Sequence, residues 1–152
     1  LNDRYTRQQT ITLLKTYKIE LVMIQETNLD NNNTRNFLKQ QWGYDSVWMS
    51  KVAILARNRD IKFENVEESH QGSVLSAEFQ YRKRSFRAVN IYAPPALEER
   101  VRFIDGWSIN KNTNVVNIVA GDFNVNLDLE VNRISHVTPN NDPSKRKLKE
   151  LT

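Results

Sequence analysis

The run Val115-Val116-Asn117-Ile118-Val119-Ala120-Gly121-Asp122-Phe123-Asn124 constrains this chain more than any other segment. Its apolar, β-branched residues read as a buried strand that stops at a glycine turn carrying a carboxylate and an amide. In α/β sheets, chemistry gathers beyond the carboxyl ends of strands, where side chains face a crevice. Asp122 and Asn124 flank Phe123 at the two-residue spacing that points both side chains to one side of an extended segment. A carboxylate that takes a proton and an amide that holds an oxyanion together suit phosphate ester chemistry. Local turn stabilisation would employ the same two residue types.

Two more segments share the pattern. Ile19 to Gln25 is an apolar strand followed by Glu26 and Thr27, and Ala88-Val89-Asn90-Ile91-Tyr92 ends at the break Pro94-Pro95. Around these strands, Asn2 or Asp3 is placed to cap a helix carrying Tyr5, Ile11, Leu14 and Tyr17 at near-helical spacing. Asn28 to Asn33 reads as a polar loop, Thr34 as the cap of a short helix through Phe37 and Leu38 to Trp42, and Gly43 as its stop. The middle reads as β: Val47–Met49, Val52–Ala56, Ile61–Val66 and Val74–Phe79, then a basic hairpin tip over Tyr81–Ser85 and the strand Phe86–Tyr92. Leu97, Val101, Ile104 and Trp107 mark an amphipathic helix. After Leu129 the signal fades into a polar stretch broken by Pro139 and Pro143. The chain reads as one domain without repeat or linker, and periodicity leaves α/β and α+β both open.

Composition narrows the chemistry. The 152 residues suffice for one domain with a core and contain no cysteine, which excludes disulfides and cysteine-ligated zinc. His70 and His136 are the two histidines, so a metal here would take oxygen ligands, favouring magnesium, manganese or calcium. A net charge of +4 and an isoelectric point near 9.4 bias the chain toward polyanions. Mean hydropathy is −0.65, and no apolar run approaches the ~20 residues that span a bilayer. No signal-peptide pattern opens the chain.

Taken together and in order, Gln25-Glu26-Thr27, Asn90-Ile91-Tyr92-Ala93-Pro94 and Gly121-Asp122-Phe123-Asn124 resemble the endonuclease/exonuclease/phosphatase superfamily of deoxyribonuclease-I-like enzymes. The nearest resemblance is to the endonuclease domain of LINE-type, non-LTR retrotransposons, supported also by Leu1-Asn2-Asp3-Arg4 and Pro94-Pro95. It implies a four-layer α/β/β/α sandwich, present here incompletely as a partial domain over residues 1–152. The family's opening strand with its Asn-Val-Asn-Gly-like segment and its terminal Ser-Asp-His are expected to lie outside this sequence. The short Met49-Ser50-Lys51 loop stands where the family shows a glycine-rich turn.

The resemblance also implies roles. Glu26 would bind Mg2+, with Mn2+ as a substitute, beside the scissile phosphate. Asp122 would act as general base, Asn124 would donate to the phosphate, and Tyr92 would contact it without acting as nucleophile. Asn90 reads as structural, Asp128 as lying behind the metal ligands, His136 as a surface residue and His70 as a loop residue. Arg82, Lys83 and Arg84, with Arg87 beyond, and Lys145 to Lys149 are candidate contacts for DNA phosphates. The implied activity is a magnesium-dependent DNA endonuclease that leaves a 3′-hydroxyl and a 5′-phosphate. Its partners would be DNA and a reverse transcriptase domain of the same polyprotein, its setting the nucleus, with no membrane and no obligate protein partner. A superfamily phosphatase on phosphoinositide or phospholipid, and a non-catalytic, decayed gene fragment, are the competing expectations.

Overall fold

The computed structural model describes residues 1, 3–108, 114–125 and 142–151. Asn2, Asp128 and His136 lie outside them. The chain forms two compact units, Leu1–Tyr92 with Asn112–Asp122, and Ala93–Lys111 with Phe123–Thr152. The architecture is mixed α+β with two sheets.

In the first unit, β3 (Val52–Ala56) is the organising strand. It lies between β1 (Leu21–Gln25) and β2 (Ser46–Trp48), antiparallel to both. All five of its residues are buried, as an uninterrupted apolar run requires when both faces are covered. Alternation divides those faces. Val52, Ile54 and Ala56 pack with Leu75, Ala77, Phe79 and Ala88 of a second sheet, while Ala53 and Leu55 pack with Ile11, Leu38 and Trp42 of two helices. The unit therefore stacks helix, sheet and sheet.

Those helices are α1 (Arg4–Thr16) and α2 (Asn32–Trp42). The carboxylate of Asp3 caps α1 by accepting from the Thr6 N–H at 2.8 Å. Ile11 alone is buried along α1, with Leu14 packing beside it, whereas Tyr5 and Tyr17 of the expected apolar stripe are exposed. Of that stripe only Ile11 and Leu14, three residues apart, share the inward face. In α2 the cap is Asn31, not Thr34: its side chain accepts from the Asn33 N–H at 2.7 Å and starts the helix earlier. Gly43 ends it in the left-handed conformation, φ 79°, as expected. The Trp42 indole donates to the Ala56 carbonyl at 2.5 Å and ties α2 to the end of β3.

The second sheet has the order β4 (Glu64–Ser69), β5 (Val74–Tyr81), β6 (Arg84–Tyr92), β7 (Val116–Asp122). β4 starts later than the expected Ile61–Val66, since Ile61 is buried in the core but sits in a turn with Asn58. The β5–β6 connection is only Arg82 and Lys83, both left-handed at φ 48° and 65°, the geometry of a two-residue hairpin turn.

β7 differs most from its sequence reading. It runs parallel to β6 and continues through Gly121 to Asp122, so Gly121 is a strand residue rather than a turn. Nor is the strand buried: Val116 is 50% and Ile118 36% exposed. Among the described residues β7 is the last strand in the sheet order, and its Val116 and Ile118 side chains are open on one face.

In the second unit, α3 (Leu97–Gly106) buries Arg100, Phe103 and Ile104. Trp107 is buried as expected, but Leu97 is exposed. The Arg100 guanidinium donates to the Pro95 carbonyl at 2.6 Å and pairs with Asp142 at 2.8 Å. The basic run after Pro143, which falls in the polar stretch where the sequence signal fades, is helix α4 (Ser144–Leu151). Lys147 forms an exposed ion pair with Asp105 at 2.5 Å. Among the described residues no helix is long and apolar enough to cross a membrane.

Candidate active site

The first unit brings the carboxyl ends of β1, β6 and β7 together. Directly after β1 the backbone enters the left-handed region at Glu26, φ 54°, and again at Asn28, φ 50°. Such residues cost roughly 1–3 kcal/mol each and persist where their surroundings over-determine them. The surroundings here are the two flanking residues. Gln25 donates from Nε2 to the Asn90 Oδ1 at 2.6 Å. Thr27 is fully buried; its hydroxyl lies 3.0 Å from the Met49 carbonyl and 2.9 Å from that of Ser50, and its N–H donates to the Lys51 carbonyl at 3.0 Å. Clamped on both sides, the Gln-Glu-Thr segment presents Glu26 between two anchors.

Asn90 lies at the centre of this arrangement and is fully buried. Its Nδ2 donates to the carbonyls of Ile24 at 2.9 Å and Ala53 at 2.8 Å. One amide thus ties β6 to two strands of the other sheet, with its nitrogen and its oxygen both hydrogen-bonded.

Tyr92 ends β6. Its N–H donates to the Ser73 carbonyl at 2.8 Å, and its hydroxyl donates to Glu26 Oε1 at 3.0 Å. Asp122 is its partner in the parallel register, which sets the two strands ~4.8 Å apart. The hydrogen bond to Glu26, then burial, then the negative charges of Glu26 and Asp122 hold the phenol's pKa above its ordinary 10.0. Tyr92 is therefore protonated throughout the neutral range. Because the folded value lies above the unfolded one, this interaction stabilises the fold below pH 10.0 and is lost as pH rises through the folded value. An ultraviolet phenolate titration should show one late-ionising tyrosine that disappears in Tyr92→Phe and titrates earlier in Glu26→Gln. A wild-type curve in which no tyrosine is delayed would refute this.

Asn124 is placed differently from its sequence reading. Its φ is 51°, so the segment after Asp122 is not extended, and its Nδ2 donates to the Ala93 carbonyl at 2.7 Å within the second unit. His70 is a turn residue, φ 53°. Arg82, Lys83 and Arg84 are exposed, with the Arg82 guanidinium 5.1 Å from the Tyr81 ring centre. They stand at the opposite end of β6 from Tyr92, about 26 Å away at the usual strand rise. Arg87 is held in an ion pair with Glu78 and is not part of that basic tip. Lys51 and Ser73 were not distinguished by any sequence signal; both sit in loops and reach the site only through the fold.

Among the described residues, no three His, Cys, Asp or Glu side chains gather into a metal cage. A lone carboxylate at a strand end fits a magnesium ion that keeps most of its waters and takes the rest of its ligands from a substrate.

No protein-family model matches the sequence, and no curated protein matches it by sequence. Solved structures do match in fold. D. rerio TDP2 complexed with a single-strand DNA product superposes with a TM-score of 0.62 at 18% identity, covering 86% of this chain and 58% of that one. Truncated Caenorhabditis elegans TDP2 gives 0.62 at 16%, covering 86% and 59%. The human Nocturnin catalytic domain with bound sulfate gives 0.54 at 13%, covering 84% and 60%. The chain thus spans somewhat under two-thirds of these structures. TDP2 and Nocturnin belong to the endonuclease/exonuclease/phosphatase superfamily, and the fold of this chain is the DNase I-like fold that they share.

Proposed function

We propose that this chain is a divalent-metal-dependent phosphodiesterase acting on DNA, and that it is the endonuclease portion of a LINE-type retrotransposon protein. The observation that carries the reading is the convergence of Glu26, Tyr92 and Asp122 at three strand ends of a DNase I-like fold. The basic balance of +4 and the DNA product held by D. rerio TDP2 support DNA as substrate. The ordered motifs with Pro94-Pro95 support the LINE-type assignment. A reverse transcriptase domain in the same polyprotein and a nuclear setting follow from that assignment.

Glu26 is the residue to hold Mg2+ or Mn2+ next to the scissile phosphate. When bound, such an ion polarises a phosphoryl oxygen and offsets developing charge. Asp122 accepts a proton from the attacking water. Tyr92, which keeps its proton, donates a hydrogen bond to a phosphate oxygen instead of attacking phosphorus. On the resemblance alone, Asn124 is the proposed amide donor to the transition-state oxyanion. Water adds to phosphorus as the bond to the 3′-oxygen breaks, and that oxygen takes a proton from solvent, giving a 3′-hydroxyl and a 5′-phosphate.

Supercoiled plasmid nicking tests this. Wild-type protein should nick in magnesium and not in chelator, and Asp122→Ala should be slower by roughly 100-fold or more, the range for losing a general base. Nicking that survives in Asp122→Ala would sink the assignment. Well-folded wild-type protein that never nicks would favour the non-catalytic reading.

A further inference from the structure

Lys51 occupies the loop between β2 and β3, one residue before the Gln25↔Val52 pair that ends the β1–β3 register. A closed circuit of contacts runs through it. The Lys51 carbonyl accepts from the Thr27 N–H at 3.0 Å, and its Nζ donates to Ser73 Oγ at 3.1 Å. The Ser73 carbonyl in turn accepts from the Tyr92 N–H at 2.8 Å, and the Tyr92 hydroxyl reaches Glu26 at 3.0 Å. Ser73 is buried. The preceding turn packs tightly on the same loop, since a Cβ at Gly72 would stand 2.4 Å from Ser50 Oγ. Both the backbone and the side chain of Lys51 are thereby fixed at the rim that holds Glu26 and Tyr92.

Lys51 is half-buried as a residue, and among the described residues its ammonium enters no ion pair; its partner is a neutral hydroxyl. A neutral hydroxyl does not neutralise the ammonium, so its positive charge is left unbalanced by direct contact. An anion docking at this rim would restore the balance. The two carboxylates at the same strand ends repel a phosphate, so a fixed positive charge beside them has a clear electrostatic use.

We propose that Lys51 binds a non-bridging oxygen of the phosphodiester backbone and so positions the strand at the Glu26–Tyr92 rim. The proposal rests on the phosphodiesterase reading above and adds a substrate-binding residue to it.

The test is oligonucleotide binding by fluorescence anisotropy in chelator, over a salt series, with wild type, Lys51→Gln, Lys51→Arg and the remote Lys83→Gln. Glutamine keeps a donor for Ser73 but removes the charge. Lys51→Gln should weaken single-strand binding roughly 5-fold and lower the salt slope by about 0.7, the value for one phosphate contact. Lys51→Arg should restore affinity to within about 2-fold, and the melting temperature of Lys51→Gln should match wild type. Unchanged affinity and slope in folded Lys51→Gln would overturn the proposal. So would a loss that Lys51→Arg shares in full, since that marks a purely structural lysine. Wild type that binds and nicks while Lys51→Gln does the same removes only the role of Lys51. Wild type that neither binds nor nicks removes the phosphodiesterase reading with it.

Discussion

Gly121→Ala is expected to destabilise the fold by about 3 kcal/mol or more, at the upper end for overpacking by one methyl group. The added Cβ would stand 2.0 Å from the Ile91 carbonyl oxygen and 2.8 Å from the Ile91 carbonyl carbon. These are backbone atoms of the paired strand, with no rotamer through which to escape. Relief requires β7 to draw away from β6, which breaks the register at Ile91↔Gly121 and Tyr92↔Asp122. The cost therefore falls on stability and on the position of Asp122 at once. Urea unfolding would measure it as a fall in midpoint at constant slope. Gly43→Ala is the internal comparison: nothing lies within 4 Å of its Cβ, but its φ of +79° carries the left-handed penalty of about 1–2 kcal/mol. Equal midpoint losses in the two variants would show that the clash at Ile91 is not the deciding effect.

Asn90→Ala should cost about 3 kcal/mol, because it leaves one buried and two partly buried partners without their bonds. The carbonyls of Ile24 and Ala53 lose a donor and the Gln25 amide loses an acceptor. Each unsatisfied buried group costs on the order of 1–3 kcal/mol, partly relieved where water enters the cavity. Asn90→Asp should be worse, since it turns a carboxylate toward two carbonyl oxygens in a dry interior. The damage should extend to the site: without Asn90, Gln25 no longer anchors the strained backbone of Glu26, so plasmid nicking should fall under conditions where the variant remains folded. A loss under about 1 kcal/mol for Asn90→Ala would mean that the amide does not bridge the sheets as described.

Much of this fold was legible because its signals are local. Val52 to Ala56 is apolar without interruption and is the central strand, covered on both faces. Gly43 ends a helix where its sequence position says it should. Glu26, Tyr92 and Asp122 were each marked by an apolar run ending in a polar residue, and all three stand at strand ends in one unit. The hidden parts depend on partners far along the chain. Thr34 has the chemistry of a cap, but Asn31 reaches an unpaired N–H first. Tyr5 and Tyr17 keep near-helical spacing and still face outward, because the face toward the sheet is set by Ile11 and Leu14.

By itself the sequence marked most of the strand segments, the absence of cysteine chemistry, and the polar residues that close the apolar runs. Only the tertiary structure decided what those runs lie against. Val116 to Ala120 has the composition of a buried strand, yet it is the last in its sheet and leaves Val116 half exposed. Gly121 has the chemistry of a turn, yet it is a strand residue held glycine by the Ile91 carbonyl. Asn90 meets Gln25 across 65 residues, and Lys51 meets Ser73 across 22. Periodicity reports how much a segment must bury; it carries no record of which distant segment supplies the cover, or of which cation ends beside which carboxylate.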